Sequence, residues 1–164
     1  MKINGKSMGT SAALVAALAS PLVAYYEGMI PHTYADPVGI PTICYGHTGP
    51  DVTPGRVATP DECKALLEGD LAKALAGVDR CIVIDVTPNQ AAALVSFAYN
   101  IGTGALCSST LARLANARAP AAEWCAQMSR WTYGTILGIK IELPGLIKRR
   151  VSERAMCEGG QWRA

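Results

Sequence analysis

Twenty consecutive residues near the N-terminus, from Ser7 to Tyr26, carry no charge. As a helix this run would be about 30 Å long, just enough to cross the hydrocarbon core of a bilayer. Its strongly apolar side chains are few: Leu14, Val15, Leu18, Leu22 and Val23. They favour membrane insertion by only about 2–3 kcal/mol before the unfavourable residues are subtracted. The run is therefore long enough to span a membrane but would hold there only weakly.

This uncharged run allows three interpretations. Ala17-x-Ala19 has the small-residue pattern of a signal-peptide cleavage site. A buried N-terminal helix of a cytosolic protein is the second interpretation. The third, which we favour because the run is so weakly apolar, is a signal-anchor that holds the protein in the membrane and later releases it. Lys2 and Lys6 would then keep the N-terminal end cytoplasmic and place everything after Tyr26 in the periplasm.

A helix start lies inside the run, with Ser20 as the N-cap and Pro21 at the first helical position. Gly28 suits a helix C-cap. Outside a membrane we therefore expect a short helix from Ser20 to Glu27, with Glu27 in its last turn. The negative end of the helix dipole favours the protonated form of a carboxyl at that position. A proton held near neutral pH is what a general acid needs.

Composition and cysteine usage limit the class of protein. Half of the 164 residues are hydrophobic and 17% are charged, which fits one domain with a sizeable core. A net charge of +2 is too small to indicate a nucleic-acid partner. None of the six cysteines sits in a CxxC pair and there are only two histidines, so we expect neither a metal nor a cofactor. The dispersed cysteines fit up to three disulfide bonds in an oxidising compartment, with buried free thiols in the cytosol as the alternative.

Beyond Gly28 the sequence patterns predict first strands and then helices. Two short strands are expected around Asp36–Gly39, a sequence suited to a type I turn. Thr59–Glu62 and Thr87–Gln90 are capping boxes, and they predict helices that run from Thr59 to about Gly77 and from Thr87 onwards. Further helices are expected at Ser109–Ala117, Pro120–Trp131 and Pro144–Cys157. The predicted fold class is α+β, with a small β-hairpin lobe near the N-terminus, a larger helical lobe and a cleft between them.

Two carboxylates and a threonine are candidate catalytic residues. Glu27 ends a helix, Asp36 sits on a hairpin turn that can fold back towards it, and Thr42 lies on the returning strand. Two carboxylates in unlike surroundings can take different protonation states, and glycoside hydrolysis needs one protonated acid and one ionised carboxylate. Thr42 could hold the attacking water by a hydrogen bond. From these residues alone, an ordinary turn aspartate and an exposed helix-end glutamate remain the simpler interpretation.

A resemblance to a known family adds to these patterns. Glu27, Asp36 and Thr42, with YGHTG close behind, look like the signature of phage-type lysozymes, the endolysins of glycoside hydrolase family 24. The blocks NQAAALVSFAYNIGTGALCSSTLARL and RW…PGLIKRRVSERAMC resemble that family's helical lobe. The resemblance therefore extends from about Tyr26 to Trp162.

This resemblance implies hydrolysis of the β-1,4 bond between N-acetylmuramic acid and N-acetylglucosamine in bacterial peptidoglycan, which lyses the host cell. It also implies a general-acid role for Glu27, and roles for Asp36 and Thr42 at the face of the sugar where water attacks. Two other functions stay open: a lytic transglycosylase, which closes an anhydro ring, and a non-catalytic wall-binding protein. Asp36 and Thr42 argue against the transglycosylase because ring closure needs no positioned water.

The weakly apolar N-terminus is similar to the signal-anchor-release segment of a subset of these endolysins. The resemblance implies an anchor at residues 1–26 and a lysozyme-like catalytic domain at residues 27–164. It implies export by the host secretion machinery, contact of residues 7–26 with inner-membrane lipid, and later release to the periplasm as a monomer. Some members of the subset use a cysteine inside the segment for disulfide exchange. Here no cysteine precedes Cys44, so that form of control is not expected.

The remaining polar candidates each have a plainer interpretation. Tyr45, Gly46 and His47 could line the sugar-binding cleft, although Tyr45 could simply pack and His47 could cap a turn. Arg149 and Arg150 are expected to pair with a glutamate on their own helix, Glu153, rather than with substrate. We expect the two tryptophans seven residues apart, Trp124 and Trp131, to pack in the core from one helix. We expect each cysteine to pair with its neighbour along the chain, which gives Cys44–Cys63, Cys81–Cys107 and Cys125–Cys157. This is one of the fifteen arrangements that six cysteines allow.

Overall fold

The computed structural model describes residues 8–36, 39–136 and 138–162. Lys2, Lys6 and Ser7, which carry part of the anchor prediction, lie outside these ranges, as do Pro37 and Val38 of the predicted turn. Along the chain the elements are α1 (Met8–Glu27), β1 (Ile30–Ala35), β2 (Pro41–Cys44), β3 (His47–Thr48), α2 (Pro60–Cys81), α3 (Pro88–Ile101), α4 (Thr103–Cys107), α5 (Thr110–Asn116), α6 (Ala121–Ala126), a 3-10 turn (Gln127–Arg130), β4 (Tyr133–Ile136), β5 (Ile139–Glu142) and α7 (Pro144–Cys157).

The first helix, α1, passes through Pro21 without a break, whereas the sequence predicts a separate helix that starts at Ser20. A proline inside a helix removes a backbone hydrogen bond and costs about 3 kcal/mol. Burial on both sides of Pro21 offsets that cost, because one stripe of α1 packs into the core: Val15, Ala19, Leu22 and Val23. The predicted end of the helix is confirmed, since Gly28 has φ +69° and its N–H donates to Ala24 O at 3.1 Å. No helix in the described part of the chain is both long and apolar enough to cross a membrane.

The two predicted capping boxes are present at the starts of α2 and α3. Thr59 Oγ1 accepts from the backbone N–H of Glu62 at 3.2 Å, and Glu62 Oε2 accepts from that of Thr59 at 2.7 Å. The equivalent bonds of Thr87 and Gln90 measure 3.2 and 2.8 Å. The second helix does not end near Gly77 as predicted. It continues to Cys81, and Gly77 is a close-contact position against α4, where the side chain of Thr103 leaves no room for a Cβ.

Two hydrophobic clusters divide the molecule into a large helical lobe and a small β lobe. The large cluster surrounds α3, whose residues 91–98 are buried, and α1, α2 and α7 pack against this helix. The small cluster lies under the strands and the start of α2: Ile43, Cys44, Val52, Ala58 and Cys63. The predicted α+β fold class is therefore confirmed.

Three disulfide bonds connect these elements. Cys44–Cys63 joins β2 to α2, Cys81–Cys107 joins α2 to α4, and Cys125–Cys157 joins α6 to α7. The prediction of disulfide bonds is confirmed, and the pairs are those expected from the sequence. They close loops with sequence separations of 19, 26 and 32, and cross-links of this span stabilise a fold by roughly 3 kcal/mol each by restricting the unfolded chain.

The strands β1, β2 and β3 form an antiparallel sheet in chain order. Tyr34 pairs with Thr42 across the first two strands. At the turn between them, Gly39 N donates to Asp36 O at 2.9 Å, and Ile40 N donates to Asp36 Oδ1 at 2.8 Å. Asp36 therefore closes the hairpin with both its backbone and its side chain.

A second hairpin, β4 and β5, is not predicted by the sequence analysis. The helix expected at Pro120–Trp131 is shorter, because α6 gives way to the 3-10 turn and the chain leaves the helical conformation at Trp131. Trp124 and Trp131 therefore do not share one helix. Both still pack as predicted: Trp124 is buried, and the Trp131 ring lies 5.8 Å from that of Phe97. β5 is exposed along its whole length, although its sequence, IKIE, alternates apolar and polar residues as strands do.

Candidate active site

Glu27 lies at the C-terminal end of α1, where the helical lobe meets the β lobe. Its side chain is 22% exposed, and Oε1 accepts a hydrogen bond from Arg149 Nη1 at 2.6 Å. Arg149 is on α7, 122 residues further along the chain. The preceding residue, Tyr26, helps to join the two helices, because its hydroxyl lies 2.8 Å from Ser152 Oγ. The Glu27 carboxylate is thus held by an ion pair and remains partly open to solvent.

The loop between β2 and β3 approaches the other oxygen of Glu27. A Cβ placed on Gly46 would lie 3.5 Å from Glu27 Oε2, and Gly46 has φ +82°, a conformation that favours glycine. The carbonyl of Tyr45 accepts from the hydroxyl of Tyr99 on α3 at 2.7 Å. The Tyr45 side chain packs against both hydrophobic clusters. These contacts fix the β lobe relative to the carboxylate.

Arg149 is 3% exposed, and each of its three guanidinium nitrogens donates a hydrogen bond. Besides the bond to Glu27, Nε donates to Glu153 Oε1 at 3.0 Å and Nη2 donates to Ser96 O at 3.2 Å. Burial alone would lower the pKa of Arg149, but the negative charges of Glu153 and Glu27 outweigh burial and raise it. Arg149 is therefore a permanent positive charge at this site.

Glu153 is fully buried and also contacts a second arginine. Its Oε1 accepts from Ser96 Oγ at 2.7 Å, and its Oε2 lies 2.9 Å from Arg150 Nε, a charge contact without hydrogen-bond geometry. Arg150 Nη2 donates to Asn100 Oδ1 at 2.7 Å, and its guanidinium lies 4.9 Å from the centre of the Phe97 ring. Burial lowers the pKa of Arg150 to about 10, which leaves it protonated at neutral pH. Burial raises the pKa of Glu153, while both arginines and Ser96 favour its ionised form.

Tyr34 lies opposite Thr42 on the hairpin and within electrostatic reach of Glu27 and Asp36. Because Tyr34 and Thr42 are directly opposite each other on β1 and β2, their side chains share a face of the hairpin. Burial raises the pKa of the Tyr34 hydroxyl, and the negative charges of Glu27 and Asp36 add to the rise, so both carboxylates lie near this residue. Thr42 is 4% exposed and its hydroxyl donates to Ile40 O at 2.9 Å. Towards a further partner, the Thr42 oxygen is therefore an acceptor.

His47 is buried between two carboxylates. Its Nδ1 lies 2.6 Å from Asp70 Oδ2 on α2, and its Nε2 lies 3.2 Å from Asp51 Oδ1. The contact with His47 is the main reason that the pKa of Asp51 is lowered. Both ring nitrogens are engaged within the protein, so His47 ties β3 to α2. Its expected contact with substrate stays a prediction.

The contact between Arg149 and Glu27 is not predicted from the sequence. The pairing of Arg149 and Arg150 with Glu153 follows from their spacing on one helix, and it is present. The bond from Arg149 to Glu27 crosses most of the chain, and no local pattern marks it. Together these residues form a carboxylate open to solvent, with a second carboxylate and a threonine oxygen on the adjacent hairpin, which is a suitable arrangement for acid–base chemistry.

The chain matches known proteins over most of its length. The Phage lysozyme family model matches residues 24–153. The SAR-endolysin of Bacteriophage PS34 is 42% identical over 135 residues, which is 82% of this chain and 78% of the relative. The structure of an endolysin from Escherichia coli O157:H7 phage FAHEc1 is 31% identical with a TM-score of 0.79, and the match covers 88% of this chain and 92% of that one. The muramidase domain of SpmX from Asticaccaulis excentricus is 32% identical with a TM-score of 0.78, over 88% of this chain and 94% of that one.

The family match includes every residue of the candidate site, from Glu27 on α1 to Glu153 on α7. The two structural matches confirm the lysozyme-like fold predicted from the sequence. The chain therefore belongs to the phage lysozyme family and is an endolysin, a muramidase-type enzyme that hydrolyses peptidoglycan.

Proposed function

We propose that this endolysin cleaves the β-1,4 bond between N-acetylmuramic acid and N-acetylglucosamine, with Glu27 as the general acid. The position of Glu27 carries the proposal: one oxygen is bound by Arg149 at 2.6 Å, the other lies beside Gly46, and 22% of the side chain is exposed. This arrangement orients the carboxyl and leaves it accessible to a glycan between the lobes. A general acid must be fixed within hydrogen-bond reach of the leaving oxygen.

In this mechanism, protonated Glu27 gives its proton to the glycosidic oxygen as the bond to the anomeric carbon breaks. A water molecule adds to the anomeric carbon and passes a proton to the ionised carboxylate of Asp36. Thr42 orients this water by accepting its other hydrogen, because the Thr42 proton is already donated to Ile40 O. The unlike surroundings of Glu27 and Asp36 support the assignment of one acid and one base.

Replacement of Glu27 by its amide tests the acid role. Glu27→Gln keeps the size of the side chain and removes the proton that is donated, so we expect peptidoglycan hydrolysis to fall by at least about a hundredfold. The matched control is Glu68→Gln, the same substitution at an exposed position of α2, which should leave the rate unchanged. Both rates are measured as release of soluble muropeptides from purified cell wall. A folded Glu27→Gln protein that hydrolyses at the wild-type rate would remove Glu27 from the chemistry.

We also propose that the loop Tyr45–His47 borders the glycan-binding site. Support comes from Gly46, where a Cβ would lie 3.5 Å from Glu27 Oε2. Titration with chitin oligosaccharides should shift the backbone amide signals of this loop in NMR spectra. A loop whose signals stay unchanged while the signals around Glu27 move would rule out the contact.

We propose further that residues 1–26 first serve as a weak membrane anchor for residues 27–164, with residues 7–26 in contact with lipid, and that the segment from Met8 onwards then docks as α1. The relative from Bacteriophage PS34 that matches most of this chain is named a SAR-endolysin. Docking of α1 brings Tyr26 and Glu27 to Ser152 and Arg149 on α7. A membrane-held segment would keep Glu27 away from Arg149, so the tethered enzyme would be inactive.

Activity before and after release tests this latency. Full-length protein in sealed inner-membrane vesicles, with residues 27–164 accessible to added peptidoglycan, should hydrolyse it much more slowly than the same protein recovered in soluble form. Collapse of the membrane potential should release protein and raise the rate. Equal rates for tethered and soluble protein would contradict the proposal.

A further inference from the structure

The ion pair at Glu27 conflicts with the role of an acid. Glu27 must carry a proton in order to donate it, yet the Arg149 guanidinium lies 2.6 Å away. A neighbouring positive charge favours the ionised form of a carboxyl. Arg150, next along α7, is buried and protonated as well. Without a second carboxylate, Glu27 alone would face two buried positive charges.

Glu153 is the group placed to offset these charges. It is fully buried, Arg149 Nε donates to its Oε1 at 3.0 Å, and Arg150 Nε lies 2.9 Å from its Oε2. The two arginines lie four and three residues before Glu153, so one helix places all three groups together. Glu153 is thus one side chain away from Glu27, with Arg149 between them.

We propose that Glu153 is a positioning residue that controls the protonation of Glu27 through Arg149. The two guanidinium groups and the Ser96 hydroxyl around Glu153 favour its ionised form. The resulting negative charge binds the same guanidinium that binds Glu27 and offsets the two arginines, so Glu27 can hold the proton it later donates. The four groups Glu27, Arg149, Arg150 and Glu153 then have a net charge of zero while Glu27 is ionised. This inference rests on the proposed general-acid role of Glu27.

The other groups that face Glu27 do not take over this role. Tyr34 on β1 and Tyr99 on α3 lie close to it, and burial raises the pKa of both hydroxyls, so they stay neutral over the range of activity. Asp36 is near Tyr34, and Asp70 on α2 lies near Tyr99. The carboxylate with a direct hydrogen bond to the partner of Glu27 is Glu153.

Two substitutions of opposite charge test the proposal. Glu153→Gln changes the net charge of the four groups to +1, and Arg150→Met changes it to −1. The alkaline limb of the profile of kcat/KM against pH reports loss of the proton from the acid. We expect this limb to move to lower pH by about one unit in Glu153→Gln and to higher pH by a similar amount in Arg150→Met. The double variant restores a net charge of zero, so its limb should return to the wild-type position.

A merely structural role for Glu153 predicts reduced stability or a lower maximum rate but no shifts of opposite sign. Limbs that stay in place in folded Glu153→Gln and Arg150→Met proteins would overturn the proposal. If Glu153→Gln does not fold, Arg150→Met and the double variant decide it, because neutral replacement of a buried ion pair is usually tolerated. An inactive Glu27→Gln protein with unmoved limbs in the other variants would refute only the role of Glu153, whereas an active Glu27→Gln protein would refute the proposed function itself.

Discussion

Arg149 forms ion pairs with two carboxylates, those of Glu27 and Glu153. A buried charge is tolerated only when it is paired and hydrogen-bonded, and all three nitrogens of this guanidinium have acceptors: Glu27, Glu153 and Ser96 O. Removal of such a partner leaves uncompensated charge in the protein interior. The stability of the site therefore depends on this one side chain.

Arg149→Met should lower the free energy of unfolding by about 3–5 kcal/mol, because it leaves Glu153 and Glu27 without their shared partner. The matched control is Arg154→Met on the same helix. Arg154 pairs with Glu158 at 2.7 Å, but the two side chains are 44% and 34% exposed, so its loss should cost at most about 0.5 kcal/mol. Denaturant unfolding of both variants measures the difference. Equal losses would contradict the account of Arg149.

At the scale of single residues, the sequence predicts contacts within one helix but not contacts between distant elements. The bond from Arg149 to Glu153 follows from spacing on one helix. The bond from Arg149 to Glu27 forms only when α1 and α7 pack together, and this packing has no local signature. The buried setting of His47 is missed for the same reason, since Asp70 reaches it from α2.

Among the helices and strands, the capping boxes are the most predictable features because every atom involved lies within four residues. The α2 box uses a charged Glu62 and the α3 box a neutral Gln90. Hydrogen bonds from Thr59 lower the pKa of Glu62 from its ordinary value of 4.5. Its stabilising contribution is therefore present in full above 4.5 and is lost as the pH falls through the lower folded value.

We expect Glu62→Gln to lower the thermal midpoint at pH 7, and this effect should shrink as the pH falls below 4.5 and through the lowered pKa of Glu62. The reciprocal change, Gln90→Glu, should raise stability at pH 7 by roughly 0.5 kcal/mol, and this gain should also fade as the new carboxylate becomes protonated. Calorimetry over a series of decreasing pH values measures both effects. A pH-independent effect of Glu62→Gln would show that its charge contributes nothing to the cap.

Two elements differ from the prediction, for different reasons. Pro21 favours a helix start, but the buried stripe on both sides of it keeps α1 continuous. The β4–β5 hairpin, by contrast, has a local signal, because the β5 sequence IKIE alternates apolar and polar residues and Gly138 suits the turn before it. The burial that keeps α1 continuous is set by the packing of distant elements, and a short window of sequence does not contain it.

In the molecule as a whole, α1 belongs to the core of the helical lobe and also positions Glu27. The two lobes and their order are predictable from the change from strand to helix patterns along the chain. The location of α1 is not predictable from the sequence, because its weakly apolar run suits either a membrane or a protein core. The structure places one face of the run in the core and leaves residues such as Leu14 exposed.

Leucine-to-alanine substitutions on the two faces of α1 test its contribution to the soluble fold. Leu22 is fully buried, and Leu22→Ala should cost about 2–5 kcal/mol. Leu14 is 47% exposed, and Leu14→Ala should cost less than about 0.5 kcal/mol. The two changes remove the same groups from the run, so they weaken membrane insertion about equally. Similar losses of unfolding free energy would mean that α1 is not docked in the soluble protein.

Mass spectrometry of the glycan ends released by the purified, oxidised protein is the most direct test of the central claim. Hydrolysis with Glu27 as acid and a water held by Asp36 and Thr42 predicts free reducing N-acetylmuramic acid ends. Anhydro-muramic ends would contradict it, because they would show ring closure without water and leave Asp36 and Thr42 with no role in placing one.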